Sequence, residues 1–473
     1  MSFIDRNVPG SGYGNVYTDA LIWGGAAWST WNTVKVYFGQ AADYWDAWNK
    51  HGDSAYVDET SEFADWTLAE ANVFVEVLEL YASVCGLTFS IADSAADANI
   101  VWWKTDLGPE AVGVHEAPIF DQGSNQTWGY FNPLAPSWNN LEFGGDGRHT
   151  IIHELGHGFG LAHPHDGGTQ GDGTTFPGVP KGVSSATGDH GLNQGVWTVM
   201  SYNTGWDATN YDISFGAQGG LGAFDIAAFQ ALYGKNMQTA QGSNLYGLPT
   251  SSPYVGEEGW FCIWDAGGSD AISAAGARSS VVIDLRPATL ISGDPNAGGF
   301  ISQENGVAGG FTIANGVTIE SAVGGNGGDE LIGNDAANTL LGNGGSDILW
   351  GDRGNDLLYG DSGKDYFALD TRPSRSSNKD RIADYSAKDD TIWLDNLVFT
   401  KLGKGSYDKP VKIKSDMFVK ASKAKDREDR IIYDSKKGVL SYDADGTGSK
   451  YKMIEFASIK KGLSLTHHDF FVV

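Results

Sequence analysis

The segment HTIIHELGHGFGLAHPHDGG, residues 149–168, holds the densest chemistry in the chain. In HELGH, His153 and His157 stand four residues apart, so on a helix both imidazoles project from one face. Glu154 sits beside that face without having to become a ligand. Two imidazoles and an adjacent carboxylate are the set that zinc-assisted hydrolysis uses. Gly160 permits a sharp exit from the helix, and His163 can return as a third nitrogen, leaving the fourth tetrahedral position for water. An HExxH pentad alone recurs by chance in helices, whereas the full HExxHxxGxxH spacing is far more specific. His51, His115, His149, His165, His190, His467 and His468 lack such spacing and read as surface or supporting groups, with His165 set apart by its nearness to His163.

Thirty-seven residues after His163 comes TVMSYN, with Met200 and Tyr202. Alone, Met200 would be core filler. Behind the long zinc motif it resembles the Met-turn of the metzincins.

A second pattern starts at Gly324, where five blocks of nine follow without a gap: GGNGGDELI, GNDAANTLL, GNGGSDILW, GDRGNDLLY and GDSGKDYFA. The first position is always glycine, the sixth is Asp329, Asn338, Asp347, Asp356 or Asp365, and the eighth is always large and apolar. This is the pattern of the calcium-binding nonapeptide, a six-residue turn followed by a three-residue strand. Glycine lets the turn aim carbonyls at a cation, and carboxylates stacked turn over turn need that cation to offset their repulsion. Two blocks make one coil, so an ion should bridge block n and block n+2, with the eighth-position side chains filling the interior.

Elements must position these groups. VKVYF (34–38) and NIVWW (99–103) read as strands, and between them Phe63, Trp66, Phe74, Val77, Leu78 and Tyr81 recur at helical spacing with Gly86 as a stop. Further helices are expected over 148–158 and over 222–233, the latter ending at Gly234. Residues 235–323 read as short strands and turns, and after 370 alternating strands return and end in HHDFFVV.

With 473 residues the chain has room for two to four domains. Its net charge of −27 argues against nucleic acid as a partner. Residues 401–461 carry 16 basic and 9 acidic side chains, a +7 stretch that reads as a solvated β surface. Cys85 and Cys262 cannot make a disulfide framework or a four-thiolate site and read as core residues. No window reaches the roughly 18 to 20 apolar residues of a membrane span, and MSFIDRNVPGSGYG lacks the features of a Sec-type signal peptide.

Taken together, the zinc motif ending in His163-Pro164, the MSY turn, the DIAAFQALYG helix, the nonapeptides and the DFFVV end resemble the serralysin family of secreted metalloproteases over nearly the whole chain. The resemblance implies an α/β metzincin catalytic domain followed by an all-β parallel β-roll domain with antiparallel C-terminal strands. The boundaries expected are a short N-terminal segment at 1–18, a remnant of a proregion; the protease domain at 19–235; junction strands with calcium sites at 236–323; the RTX nonapeptide roll at 324–370; and an antiparallel region with a type I secretion signal at 371–473. His153, His157 and His163 match the zinc ligands, Glu154 the general base, Tyr202 an oxyanion-stabilising tyrosine and Met200 the Met-turn. The implied partners are protein or peptide substrates, the type I secretion machinery and a protein inhibitor, with no nucleic acid, no membrane anchor and a monomeric state.

Turn geometry and the resemblance together assign calcium ligands. One ion is expected to join Gly325, Gly327 and Asp329 to Gly342, Gly344 and Asp347, and a second to join Asn343, Gly345 and Asp347 to Gly360, Ser362 and Asp365. A third, weaker site would use Asn334, Ala336 and Asn338 with Gly351, Arg353 and Asp356. At the junction the family's turn, resembling TRTGDT, reads Thr239-Ala240-Gln241-Gly242-Ser243-Asn244, without its arginine and aspartate. Two sites are still expected there, from Ala240, Gly242 and Asn244 on one wall and Asp265, Gly267, Gly268, Asp270, Thr318 and Glu320 on the other, sharing Asp270. A catalytically inactive, calcium-stabilised secreted adhesion or binding protein is the alternative, weakened because no zinc ligand and no base is missing. A roll-bearing lipase would need a GxSxG elbow, and none precedes the repeats.

Overall fold

The computed structural model describes residues 4–51, 56–109, 111–118, 126–168, 173–206, 216–250 and 258–473; residues 1–3 of the expected N-terminal segment lie outside this set. The described residues form five α-helices, all within the N-terminal half: α1 Val16–Leu21, α2 Tyr44–His51, α3 Leu68–Val84, α4 Asp146–Gly158 and α5 Ala223–Tyr233.

A twisted sheet backs the helices in the order Phe89–Ile91, Val34–Phe38, Ile100–Thr105, Thr127–Phe131, Gly113–His115, with Phe63–Ala64 also paired to Ile100–Thr105. The first four strands run parallel, and Gly113–His115 closes one edge antiparallel. Gly113 is pressed onto α4, where a Cβ would stand 2.8 Å from Glu154 Cγ.

The helix expected from Phe63 begins later. Thr67 caps it by accepting from Glu70 N at 3.2 Å while Glu70 Oε2 accepts from Thr67 N at 2.8 Å, and this reciprocal box fixes the first turn at Leu68. Phe63 is left on its strand, stacked 3.6 Å from Tyr44. Phe74, Val77, Leu78, Tyr81 and Val84 form the buried stripe of α3. Gly86 serves a close approach, since a Cβ there would stand 2.5 Å from the Tyr233 carbonyl oxygen.

The C-terminal half is built of short strands in two main sheets. One runs Phe418–Lys420, Ile431–Asp434, Val439–Tyr442, Ile454–Ser458, Asp380–Ile382, Leu357–Tyr359, Thr339–Leu341, Ser321–Val323, Ala271–Ser273, Leu245–Gly247. The other runs Gln303–Glu304, Val281–Asp284, Glu330–Ile332, Ile348–Trp350, Tyr366–Leu369, Thr391–Leu394, Phe470–Val472, Val411–Lys412. Strands of alternate nonapeptides pair parallel and in register, Glu330 with Ile348 and Ile348 with Tyr366, Thr339 with Leu357. The eighth-position residues Leu331, Leu340, Leu349, Leu358 and Phe367 are fully buried between the sheets.

The C-terminal strands are mixed rather than antiparallel throughout. Ile431–Asp434, Val439–Tyr442 and Ile454–Ser458 form an antiparallel meander, but Ile454–Ser458 joins Asp380–Ile382 parallel. The terminal strand Phe470–Val472 also joins Thr391–Leu394 parallel. That register buries Phe470 and Val472 beside Ile392 and Leu394, extending the interior rather than closing it. Cys85 and Cys262 are buried free thiols, both pushed up to about 12 by burial. No helix among the described residues is long and apolar enough to cross a membrane.

Candidate metal centre

Helix α4 puts His153 and His157 on one face, and the chain leaves it through Gly160 at φ +102, a left-handed conformation that favours glycine. This exit returns His163 to the helix. His163 Nε2 lies 3.1 Å from His153 Nε2 and 3.1 Å from His157 Nε2. On the far side of each ring, His153 Nδ1 faces the Val199 carbonyl at 2.7 Å, His157 Nδ1 the Leu161 carbonyl at 2.9 Å and His163 Nδ1 the Asp166 carboxylate at 2.8 Å. Carbonyl and carboxylate oxygens only accept, so each Nδ1 carries the proton, and in its neutral form each ring turns a lone pair inward. Burial, and then the neighbouring imidazoles, holds His153 well below its ordinary value and His157 down at about 3, so these rings are neutral. Three converging lone pairs repel unless a cation lies between them. Their spacing is close to the roughly 3.3 Å that tetrahedral Zn–N bonds of about 2.0–2.1 Å require, so the three nitrogens fit a zinc ion.

Glu154 is buried beside them and borders a cleft of about 360 Å³ with His157, His163, Tyr202, Trp23 and Gly113. Burial pushes its carboxyl up to about 8. Tyr202 is 57 % exposed, its ring 4.6 Å from that of His163. Burial, followed by the charges of Glu154 and Asp166, pushes its phenol up to about 12. Met200 lies fully buried beneath α4.

Several supporting residues escaped sequence reasoning. Asp225 on α5 accepts from Thr198 Oγ1 at 2.6 Å, Val199 N at 2.8 Å and Gly222 N at 2.8 Å, fixing the segment whose Val199 carbonyl holds His153. His115, expected as a surface or supporting group, is buried: its Nε2 accepts from Trp102 Nε1 at 3.2 Å, its Nδ1 faces the Glu116 carbonyl at 2.8 Å, and Gly129 and Gly158 leave room for its ring. Burial lowers both His115 and His149 to about 4. His165 stacks on His163 with ring centroids 5.1 Å apart. The DIAAFQALYG pattern and the HPHD sequence were the available signals for Asp225 and Asp166, but neither spacing specifies a contact.

In the nonapeptides, Gly325 N donates to Asp329 Oδ2 at 2.6 Å, Asp329 N to Asp347 Oδ1 at 2.8 Å and Asp347 N to Asp365 Oδ1 at 3.1 Å. The second oxygens of Asp347, Asp356 and Asp365 are buried without a partner. Such oxygens are costly to bury ionised without a cation. Gly345 at φ +122 brings its Cα over the Gly327 carbonyl, and Asn343 is left-handed at φ +66. Gly342 and Gly360 pack onto the carboxylates of Asp347 and Asp365, whereas Gly344 and Ser362 lie on short paired strands. On the other edge, Asn334 Oδ1 accepts from Ala336 N and Asn338 Oδ1 from Asn334 N, so both amide oxygens are already satisfied. Gly351 packs onto Asp356, and the Arg353 side chain is turned outward to Asp335 at 3.3 Å. The ladder continues beyond the repeats, with Asp356 N donating to Asp380 Oδ1 and Asp365 N to Asp390 Oδ1, each at 3.2 Å. Here the step between paired residues lengthens from 18 to 24 and 25 residues, which breaks the nine-residue period and hides these carboxylates from a reading by period.

At the junction, Asn244 N donates to Asp270 Oδ1 and Asp270 N to Glu320 Oε2, each at 2.8 Å, while Gly267 N donates to Asp265 Oδ1 at 2.7 Å. Gly268, at φ +156, approaches the Gly242 carbonyl, and Ala240 is left-handed at φ +51. Asp270 Oδ2 and Asn244 Oδ1 are buried without partners. Thr318 is exposed and borders a separate cleft of about 450 Å³ with Arg286 and Phe300.

A family model described as Peptidase M10 serralysin C terminal matches residues 230–472. The chain belongs to the serralysin family. This serralysin-family chain is 31% identical over 301 residues to Metallopeptidase AprA of Pseudomonas marginalis, covering 60% of the chain and 56% of that relative. It is 31% identical over 314 residues to Serralysin G of Dickeya chrysanthemi, covering 64% and 61%. To Serralysin of Proteus mirabilis it is 36% identical over 216 residues, covering 44% and 39%. The matched part of the chain thus spans less than two thirds of each of these relatives.

Proposed function

We propose that this serralysin-family chain is a secreted zinc endopeptidase acting on protein substrates. The observation that carries the reading is the convergence of three histidine nitrogens beside buried Glu154, at a cleft that Glu154, His157 and His163 border. His153, His157 and His163 would hold the ion. When bound, zinc supplies a Lewis acid that lowers the pKa of a coordinated water toward about 7 and polarises the peptide carbonyl. Glu154 takes a proton from the attacking water and passes it to the leaving nitrogen, a role open to a carboxyl that borders the cleft beside His157 and His163. The Tyr202 hydroxyl meets the charge that develops on the carbonyl oxygen.

Residues 19–235 are the catalytic domain in this reading, 236–323 the junction, 324–370 a parallel β-roll and 371–473 a β region ending in a type I secretion signal. The orphaned oxygens of Asp270, Asp347, Asp356 and Asp365 support calcium binding along the junction and the roll. Hydrolysis of casein by the calcium-replete protein, its loss to a zinc-selective chelator and its return on zinc addition test the proposal. Zinc-replete, folded protein without peptidase activity would overturn it.

A further inference from the structure

Two of the three clustered imidazoles are held from behind by backbone carbonyls, which are neutral, and the third is held by a carboxylate. The difference lies in Asp166. Its Oδ2 accepts from His163 Nδ1 at 2.8 Å and from His163 N at 3.0 Å, while Asp166 N donates to the His163 carbonyl at 3.1 Å. Ring and backbone of one residue are thus clamped by a single side chain three positions on. The other oxygen, Oδ1, stands 3.7 Å from His165 Nε2, and the His165 ring lies nearly parallel to that of His163, tilted by 16°.

His163 needs such a clamp more than its neighbours. His153 and His157 are carried by α4, whose backbone bonds fix them. His163 stands on irregular chain past the Gly160 turn. A carboxylate behind an imidazole also does what a carbonyl does less strongly: its charge pulls on the Nδ1 proton and makes Nε2 a better donor.

We infer that Asp166 is a positioning residue that orients His163 and strengthens it as a ligand, so that the metal affinity of the three-histidine centre depends on a residue outside it. The inference rests on the zinc-centre reading. Its consequence is asymmetric: loss of the carboxylate charge weakens one ligand of three and leaves the other two in place.

The test is zinc affinity by competition with a chromogenic chelator, for the full-length wild type, Asp166→Asn and Asp166→Ala, with the melting temperature of each metal-free protein and the visible spectrum of each cobalt(II)-loaded protein. Asn keeps the shape and one acceptor oxygen but lacks the charge, so it remains informative should the Ala variant fail to fold. A fall in zinc affinity of about 10- to 100-fold for Asp166→Asn is expected. The cobalt bands should shift, and metal-free melting should stay near that of wild type. Unchanged zinc affinity and unchanged cobalt bands in Asp166→Asn would overturn the role of Asp166 while leaving the zinc centre standing. A wild type that takes up no zinc would overturn both, and a separate His163→Ala protein that retains wild-type zinc affinity would assign the failure to the centre itself.

Discussion

Gly156 and Met200 are in such close contact that a Cβ on Gly156 would stand 2.7 Å from the Met200 sulfur. The glycine lies between His153 and His157 on α4, and the methionine lies in the segment whose Val199 carbonyl fixes His153. Glycine within a helix costs about 1 kcal/mol relative to alanine, so a Gly156→Ala change would stabilise an isolated helix. Overpacking a buried contact costs about 1–3 kcal/mol, and Met200 is fully buried, so the packing effect should win. Gly156→Ala is expected to lower the melting temperature by a few degrees and to weaken zinc binding. A variant that melts higher and binds zinc normally would show that the Met200 segment yields freely.

Tyr202 stands at the cleft rather than within the histidine cluster. In the proposed mechanism the hydroxyl serves charge that exists only in the transition state, so its removal in Tyr202→Phe should lower kcat by about 10²–10³-fold with little change in KM. A KM effect alone in steady-state peptide kinetics would contradict this role.

Much of this was legible in the chain. HExxHxxGxxH encodes a face, a turn and a return, and His153, His157 and His163 do come together. The nine-residue period encodes parallel pairing because each block has one strand and one turn. What could not be read was contact between distant segments: Asp225 reaching Val199, or His115 filling the space left by Gly129 and Gly158. Such partners have no spacing of their own. Phe63 and Trp66 continue the helical period by coincidence, and the Thr67–Glu70 box overrides them to start α3 at Leu68.

Burial, and then the carboxylates of Asp329 and Asp365, pushes Asp347 up to about 7, and burial, then Asp390, pushes Asp365 up to about 6. An acid whose folded value lies above its unfolded value of about 3.9 binds its proton more tightly when folded, so its ionisation costs stability as pH rises from about 4 to its folded value. Calcium-free protein should therefore lose stability between pH 5 and 7.5. In the proposed calcium sites the ion would take the place of those protons, so it should raise the melting temperature by several degrees at pH 7.5, less at pH 5, and its binding midpoint should fall as pH rises. Thermal melts at both pH values with excess chelator or calcium check this; chelated protein that gains stability toward pH 7.5 and ignores calcium would refute it.

Asp270 links both walls of the junction through Asn244 and Glu320. Asp270→Ala should remove two calcium equivalents and make the chain near 236–250 newly susceptible to cleavage. Metal analysis of the purified variant against wild type decides it, and an unchanged calcium content would remove Asp270 from both sites.

In the proposed mechanism Glu154 moves the proton while the three histidines hold the ion. Peptidase activity and zinc content measured together on a folded Glu154→Ala protein test it most directly. The expected result is near one equivalent of zinc with hydrolysis reduced by at least about 10²-fold, the lower range for loss of a positioned general base. Full hydrolysis with zinc in place would contradict it.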